Sequence, residues 1–233
     1  MSLRAFIPGL AAVLMLLPGC GEDDGVSSQP PGYVNGLTLM GLVDNRSLQY
    51  IQTDTTTSFD PVYSVTVATV SKTIRIAGAG DEWIVMQADS PLINLRVTDE
   101  SVIQNGYWQR DNDVDSLFYI PIPPVVMMRS LWPQRSWEGF TPRLAAGETE
   151  VMLPFYYSNF GFSFTRTFAD RRSLLVPAGS FETYHFSVDL FANPYDSLPA
   201  AHVDEYYAPG VGLVRLSLRG GPLVRTLSLV DYF

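Results

Sequence analysis

Apolar and polar residues alternate with a period of two along much of the chain, and this pattern limits the fold more than any other feature. In residues 62–70, Tyr63, Val65 and Val67 share one face while Ser64 and Thr66 take the other. In residues 91–98, Ile93, Leu95 and Val97 oppose Asn94 and Arg96. Tyr184, Phe186, Val188 and Leu190 alternate with Thr183, His185, Ser187 and Asp189, and Val214, Leu216 and Leu218 alternate with Arg215 and Ser217. Each run predicts a half-buried antiparallel strand with one wet face. Shorter runs at 73–76, 83–87, 101–109, 116–120 and 224–232 bring the set to about ten strands at the spacing of a meander. No apolar stripe of useful length follows the helical period, so the expected class is mainly β. At 233 residues, with no fixed repeat and no charge run dividing it, the chain is expected to carry one folded domain.

Charge and residue counts narrow the chemistry. Lys and Arg number 15 against 24 Asp and Glu, a formal charge of −9, which opposes nucleic-acid binding because phosphates require clustered cations. One Cys excludes an intramolecular disulfide, and two His with one Cys are too few for a His/Cys zinc site. Asp111-Asn112-Asp113-Val114-Asp115 has the alternating oxygens of a calcium loop, but Ser116 stands where the bend needs glycine and Ile122 where a bidentate glutamate belongs. It reads as an acidic hairpin turn. His185 falls on the polar side of its strand and His202 in an acidic stretch; either could pair with a carboxylate, and both read as surface or strand-face groups. Ser180, Ser187 and Ser217 supply hydroxyls, but none lies in a G-x-S-x-G elbow. Asp204 and Glu205 are adjacent on a strand, so they point to opposite faces and are poorly placed to work on one bond. No catalytic residue, metal site or cofactor is expected.

The amino terminus speaks to location. Arg4 precedes an apolar run from Ala5 to Leu17, interrupted only by Pro8 and Gly9, which has the form of a secretory signal and is short for a spanning helix. It ends in Leu17-Pro18-Gly19-Cys20, which resembles the lipobox of bacterial lipoproteins: an aliphatic residue three before the cysteine and a small one just before it. The resemblance implies removal of residues 1–19, with Leu17, Pro18 and Gly19 read by the signal peptidase, and diacylglycerol transfer to the thiol of Cys20, the chain's one cysteine. Residues 20–32, rich in Gly, Ser, Pro and acid, read as a flexible acylated tether, and residues 33–233 as the β-rich domain. Losing Arg4 makes the mature chain still more acidic, so the lipid must supply the attachment. Gly21 resembles the sorting pattern of lipoproteins sent to the outer membrane, which implies a domain facing the periplasm.

Two further segments bear on function. Residues 121–142 hold five prolines together with Val125, Val126, Met127, Met128, Leu131, Trp132 and Trp137, and read as a long apolar loop that covers a sheet edge or lines a site. Phe160, Phe162 and Phe164 fall on one strand face, with Phe168 further along. That face is either core or, in a sheet that curls, a surface for acyl chains or another apolar ligand.

The carboxy-terminal third carries Val176-Pro177-Ala178-Gly179-Ser180-Phe181, then Tyr206-Tyr207-Ala208-Pro209-Gly210-Val211-Gly212-Leu213-Val214, then a closing strand from Leu227. It resembles a family of uncharacterised bacterial envelope lipoproteins with a VPAGTF then YAPGVGLV signature, similar in fold to the half-open barrels of lipoprotein-localisation carriers. Pro177 and Gly179 mark one turn; Pro209, Gly210 and Gly212 mark another, where glycine permits positive φ or close backbone approach. The resemblance implies a curved antiparallel sheet or half-open barrel. Three roles stay open: a non-catalytic structural or assembly subunit docking an envelope protein, a carrier of lipid or another apolar ligand, and, least, an envelope hydrolase. Partner identity and oligomeric state are open at this point.

Overall fold

A computed structural model describes residues 34–59, 63–87, 90–98, 101–111, 114–119, 125–129, 136–141, 162–192 and 195–233. They form one short helix, α1 (Gly36–Met40), followed by thirteen strands. The first seven strands are β1 (Arg46–Ser58), β2 (Ser64–Ala79), β3 (Glu82–Gln87), β4 (Ser90–Val97), β5 (Ser101–Asp111), β6 (Val114–Tyr119) and β7 (Val125–Arg129). The others are β8 (Ser136–Thr141), β9 (Phe162–Val176), β10 (Gly179–Phe191), β11 (Ala201–Ala208), β12 (Gly212–Gly220) and β13 (Leu223–Tyr232). No described helix is long and apolar enough to cross a membrane.

All strands join one antiparallel sheet in the order β6-β5-β4-β3-β2-β1-β13-β12-β11-β10-β9-β8, with β7 paired to β5. Two meanders, β1 to β6 and β8 to β13, are thus stitched together where the first and last strands meet, Tyr50 opposite Leu229 and Gln52 opposite Leu227. Among the described residues the two ends of this order do not pair, so the sheet stays open.

The sheet is strongly curved, and α1 shows by how much. The helix contacts β5 and β7 on one side and β11 and β12 on the other. β5 and β12 lie six strand spacings apart, roughly 29 Å on a flat sheet, whereas a helix is only about 10 Å across. Only a sheet bent around the helix brings both arms to it. Register shifts at Gln49/Tyr50, Val85/Met86, Asn94/Leu95, Val102/Ile103, His185/Phe186 and Tyr206/Tyr207 supply the bends, because each extra residue kinks its strand and increases the twist.

Leu39, Met40 and Leu42 of the α1 segment pack into the concave face with Leu48, Tyr50, Ile74, Ile76, Val85, Ile93, Leu95, Phe186, Val188, Val203, Leu216, Leu227 and Leu229. The alternations at residues 91–98 and 181–191 put Ile93, Leu95, Phe186, Val188 and Leu190 inside, as period-two patterning requires.

Two sequence expectations need correction. Tyr63, Val65 and Val67 share a face, but the run is not half-buried: residues 63–71 are exposed on both faces of β2, and burial begins only at Ile74, where Ile74 and Ile76 turn inward. The proline-rich segment is not a single loop. It contains β7 and β8, with Pro121, Pro123 and Pro124 before β7, Pro133 between them and Pro142 after β8, so the prolines flank strands instead of interrupting them. Met128 of β7 is fully buried.

Candidate functional site: the concave wall

Registers across the sheet show which side chains line the inside. Phe168, Phe186, Glu205, Leu216, Leu227, Gln52 and Val70 stand opposite one another in turn across seven strands, from β9 to β2. One step along, a second row runs Arg166, Val188, Val203, Leu218, Arg225, Asp54 and Ala68. Directly opposed residues share a face, so these rows form one wall. From β9 to β1 it is apolar except for Gln52 and two charged pairs, and at its β2 end Val70 and Ala68 are exposed.

The first pair is fully inside. Arg166 Nη2 donates to Glu205 Oε1 at 2.9 Å, with side chains 3% and 0% exposed. The two residues sit on β9 and β11 with β10 between them, and Val188 of β10 faces Arg166, so the arginine stem crosses that strand. The guanidinium lies 5.4 Å from the Phe164 ring centre. Tyr207, two residues from Glu205 on the same face, hydrogen-bonds it, and burial, reinforced by the Glu205 charge, pushes its phenol well above the usual range. Tyr50 is equally buried, which raises its phenol; its hydroxyl donates to the Leu213 carbonyl at 2.8 Å. Phe186 meets Phe168 and Tyr207 edge-on, with ring centres 5.9 and 5.8 Å apart.

The second pair lies in the Arg166 row. Arg225 Nε and Nη2 donate to Asp54 Oδ1 and Oδ2, both at 2.8 Å, and Gln52 Nε2 donates to Asp54 Oδ2 at 2.9 Å. Burial alone would raise the Asp54 carboxyl, but the Arg225 hydrogen bonds and charge, with Gln52 and Lys72, hold it below the usual carboxylate value.

The glycine-rich turn holds α1 in this wall. Gly210 and Gly212 have φ of 77° and 106°, and Gly41, which ends the helix, has φ 62°. A Cβ on Gly41 would lie 2.2 Å from the Val211 carbonyl oxygen, and one on Gly212 2.8 Å from that of Met40. Backbone meets backbone, which only glycine allows. Gly210 N–H donates to Thr38 O at 2.8 Å, and Asn35 caps the other helix end by accepting from Leu37 N at 2.7 Å. At the other turn, Val176 pairs with Gly179 (φ 134°) around Pro177 and Ala178, and Ala178 N–H donates to Leu229 O at 3.1 Å.

The aromatic stretch is only partly in view. Phe164 is buried opposite Leu190. Phe162 begins β9, paired with Thr141, and Phe160 lies outside the described residues. Cys20, with Leu17, Pro18 and Gly19, also lies outside them.

The outer face gathers both histidines, and His185 is a buried strand-face group. It stacks on Tyr206 at 4.5 Å, and its Nε2 lies 2.8 Å from Asp204 Oδ1. Its Nδ1 lies 3.6 Å from Asp170 and 3.3 Å from Arg172. The Arg172 hydrogen bond and charge hold the Asp170 carboxyl below its usual value. His202 Nδ1 lies 2.9 Å from Asp189, and its Nε2 3.5 Å from Asp204. Among the described residues every imidazole nitrogen is thus turned toward a carboxylate, an arrangement that orders this surface. Asp204 faces out and Glu205 in, as adjacent strand residues must. Among the described residues no group of three His, Cys, Asp or Glu is placed to hold a metal. β5 and β6 pair Asp111 with Val114, which makes the acidic segment a hairpin connection.

Reasoning from sequence passed over Arg166, Tyr50 and Arg225. A signal was present: Phe164-x-Arg166-x-Phe168 and Val203-x-Glu205-x-Tyr207 each place a charge of opposite sign on an apolar strand face.

No family model and no curated protein matches the chain. Solved structures similar to it include a Bacteroides fragilis protein with a YmcC-like fold, at 14% identity over 82% of this chain and 96% of that one, TM-score 0.39. A β-barrel-like protein of a domain of unknown function from Brucella abortus aligns at 8% identity over 82% and 97%, TM-score 0.45. A LolA-superfamily protein from Nitrosomonas europaea aligns at 8% identity over 85% and 93%, TM-score 0.34.

Proposed function

We propose that the chain is a lipid-anchored, non-catalytic module of the bacterial cell envelope whose half-open barrel binds an apolar ligand, an acyl chain before others. The observation behind this is the wall itself: Val188, Val203 and Leu218 in one row and Leu216 and Leu227 in the other set apolar side chains on successive strands, inside a curve that among the described residues does not close and that holds the five-residue α1. Acyl chains suit such a wall because they require apolar area and few hydrogen bonds. The Arg166–Glu205 pair gives the interior one polar point, where a ligand head group would be oriented. Acylation of Cys20, implied by its lipobox, would keep the domain at a bilayer, the outer membrane facing the periplasm being the reading that Gly21 favours. A hydrolase reading has less support, because the histidine nitrogens are turned toward carboxylates.

The test is native mass spectrometry of a secreted form starting near Gly25, recovered from a bacterial envelope. A reproducible mass increment that organic extraction resolves into lipid supports the reading. A bare polypeptide mass under conditions that preserve other lipid carriers would exclude it.

A further inference from the structure

Gln52 stands in the concave wall between Leu227 of β13 and Val70 of β2, on the same face as Asp54, and is 4% exposed. Its amide has one orientation. Nε2 lies 2.9 Å from Asp54 Oδ2, and a carboxylate oxygen only accepts, so the nitrogen belongs on that side and Oε1 on the other. Oε1 is buried and, among the described residues, no donor reaches it. Neighbouring donors are directed elsewhere: the Tyr50 hydroxyl goes to the Leu213 carbonyl, and Arg225 turns Nε and Nη2 to Asp54. At the wall's other inner polar point Glu205, three strand spacings away, has Arg166. A buried acceptor that has lost water without gaining a hydrogen bond costs free energy, which an incoming donor restores.

We infer that Oε1 of Gln52 selects the head group of the bound acyl chain, taking one that carries a neutral hydrogen-bond donor, a hydroxyl or an amide N–H. This rests on the acyl-binding reading and names the ligand class within it. A carboxylate or an ester brings no donor, and its lone pairs would face those of Oε1. An ammonium brings donors, but the Asp54 charge beside Gln52 is already met by Arg225 and Lys72, so an added cation finds positive charge in excess. A hydroxyl or amide N–H completes the bond to Oε1 with no charge to desolvate. Leu227 and Leu216, on the next two strands of the same row, then receive the apolar chain.

The test uses the full chain recovered from a bacterial envelope in mild detergent, incubated with equal amounts of dodecanol and dodecyl methyl ether and examined by native mass spectrometry. The ether has a methyl group in place of the hydroxyl hydrogen, so the pair differs in the donor and its adducts separate by mass in one spectrum. Dodecanamide and its N,N-dimethyl form make a second pair, which separates an amide source from a hydroxyl one. Gln52→Met and Gln52→Leu remove the acceptor while Arg225 keeps both bonds to Asp54, and they report the ratio that detergent partition alone gives. The donor-bearing member of at least one pair should be enriched about tenfold in the unsubstituted protein relative to these variants, the effect of one buried hydrogen bond. Enrichment in one pair alone names the source. Adducts present at the same ratio in the unsubstituted protein and the variants would overturn the inference, an internal water then serving Oε1, and would leave the acyl-binding reading standing. No adduct of any of the four compounds would overturn that reading and this inference with it.

Discussion

Replacing Arg166 by Met removes the guanidinium while keeping much of the stem that crosses β10 over Val188. Glu205, with no exposed side-chain surface, is left without its 2.9 Å cationic partner. At an effective dielectric near 20 the lost attraction is about 6 kcal/mol, part of which was already offset by desolvating both groups. Breaking one side of such a buried pair costs about 3–5 kcal/mol, a large share of the ~5–15 kcal/mol that holds an ordinary domain together. Glu205→Leu alone should be similarly damaging, since it strands the arginine. The double variant Arg166→Met/Glu205→Leu should recover most of the loss, because a well-packed apolar pair replaces a buried ionic one with little penalty. Urea unfolding followed by tryptophan fluorescence, with a double-mutant cycle, measures this directly. Single variants each within ~1 kcal/mol of the parent, with additive effects in the double, would refute the placement of this pair inside the barrel.

Other expectations follow from the same geometry. Gly212→Ala forces a Cβ toward the Met40 carbonyl at a positive φ and should lower stability by roughly 1–3 kcal/mol, while Gly210→Ala, whose Cβ would meet open space and only the φ strain, should lose less; thermal unfolding ranks the two. Asp54 is held below its unfolded value near ~3.9, so its contribution is intact above that pH and disappears as pH falls through the folded value. Acid unfolding should therefore be less steep between about pH 4 and 2 in Arg225→Met than in the parent. Tyr207→Phe removes the hydroxyl bonded to Glu205 and should destabilise by about 1–2 kcal/mol without changing the fold, as circular dichroism would report. Cys20→Ser should abolish incorporation of labelled fatty acid and leave the chain unprocessed.

How far the molecule can be read from its residues differs from one end of the sheet to the other. The period-two runs at 91–98 and 181–191 announced β4 and β10 and their buried faces, because both strands have neighbours on each side and a core to fill. The run at 62–70 misled for the opposite reason. Alternation reports which residues share a face, but not whether anything covers it, and β2 passes beyond the end of β3 there. Prolines 121 to 142 suggested irregular chain because each is a strand breaker; their placement at strand ends becomes visible only once β7 and β8 have partners. Pro209-Gly210-Val211-Gly212 was legible as a tight turn, but its task of receiving the end of α1 depends on Gly41, about 170 residues earlier in the chain. A five-residue helix leaves almost no periodic signal. Arg166 and Glu205 stand 39 residues apart, and each reads locally as a polar interruption of an apolar face; only the registers of β9, β10 and β11 bring them together.

The central claim is that the concave wall binds an acyl chain, and the most direct measurement is methyl NMR of the protein with a nitroxide-labelled long-chain fatty acid. Paramagnetic broadening should be strongest at the methyls of Val188, Val203, Leu216 and Leu227, which face inward, and weak at Val65 and Val67, which face solvent on the opposite side. Competition with unlabelled fatty acid should restore the inner signals. Broadening confined to the exposed methyls, or none that unlabelled fatty acid displaces, would contradict the account and make the wall ordinary core.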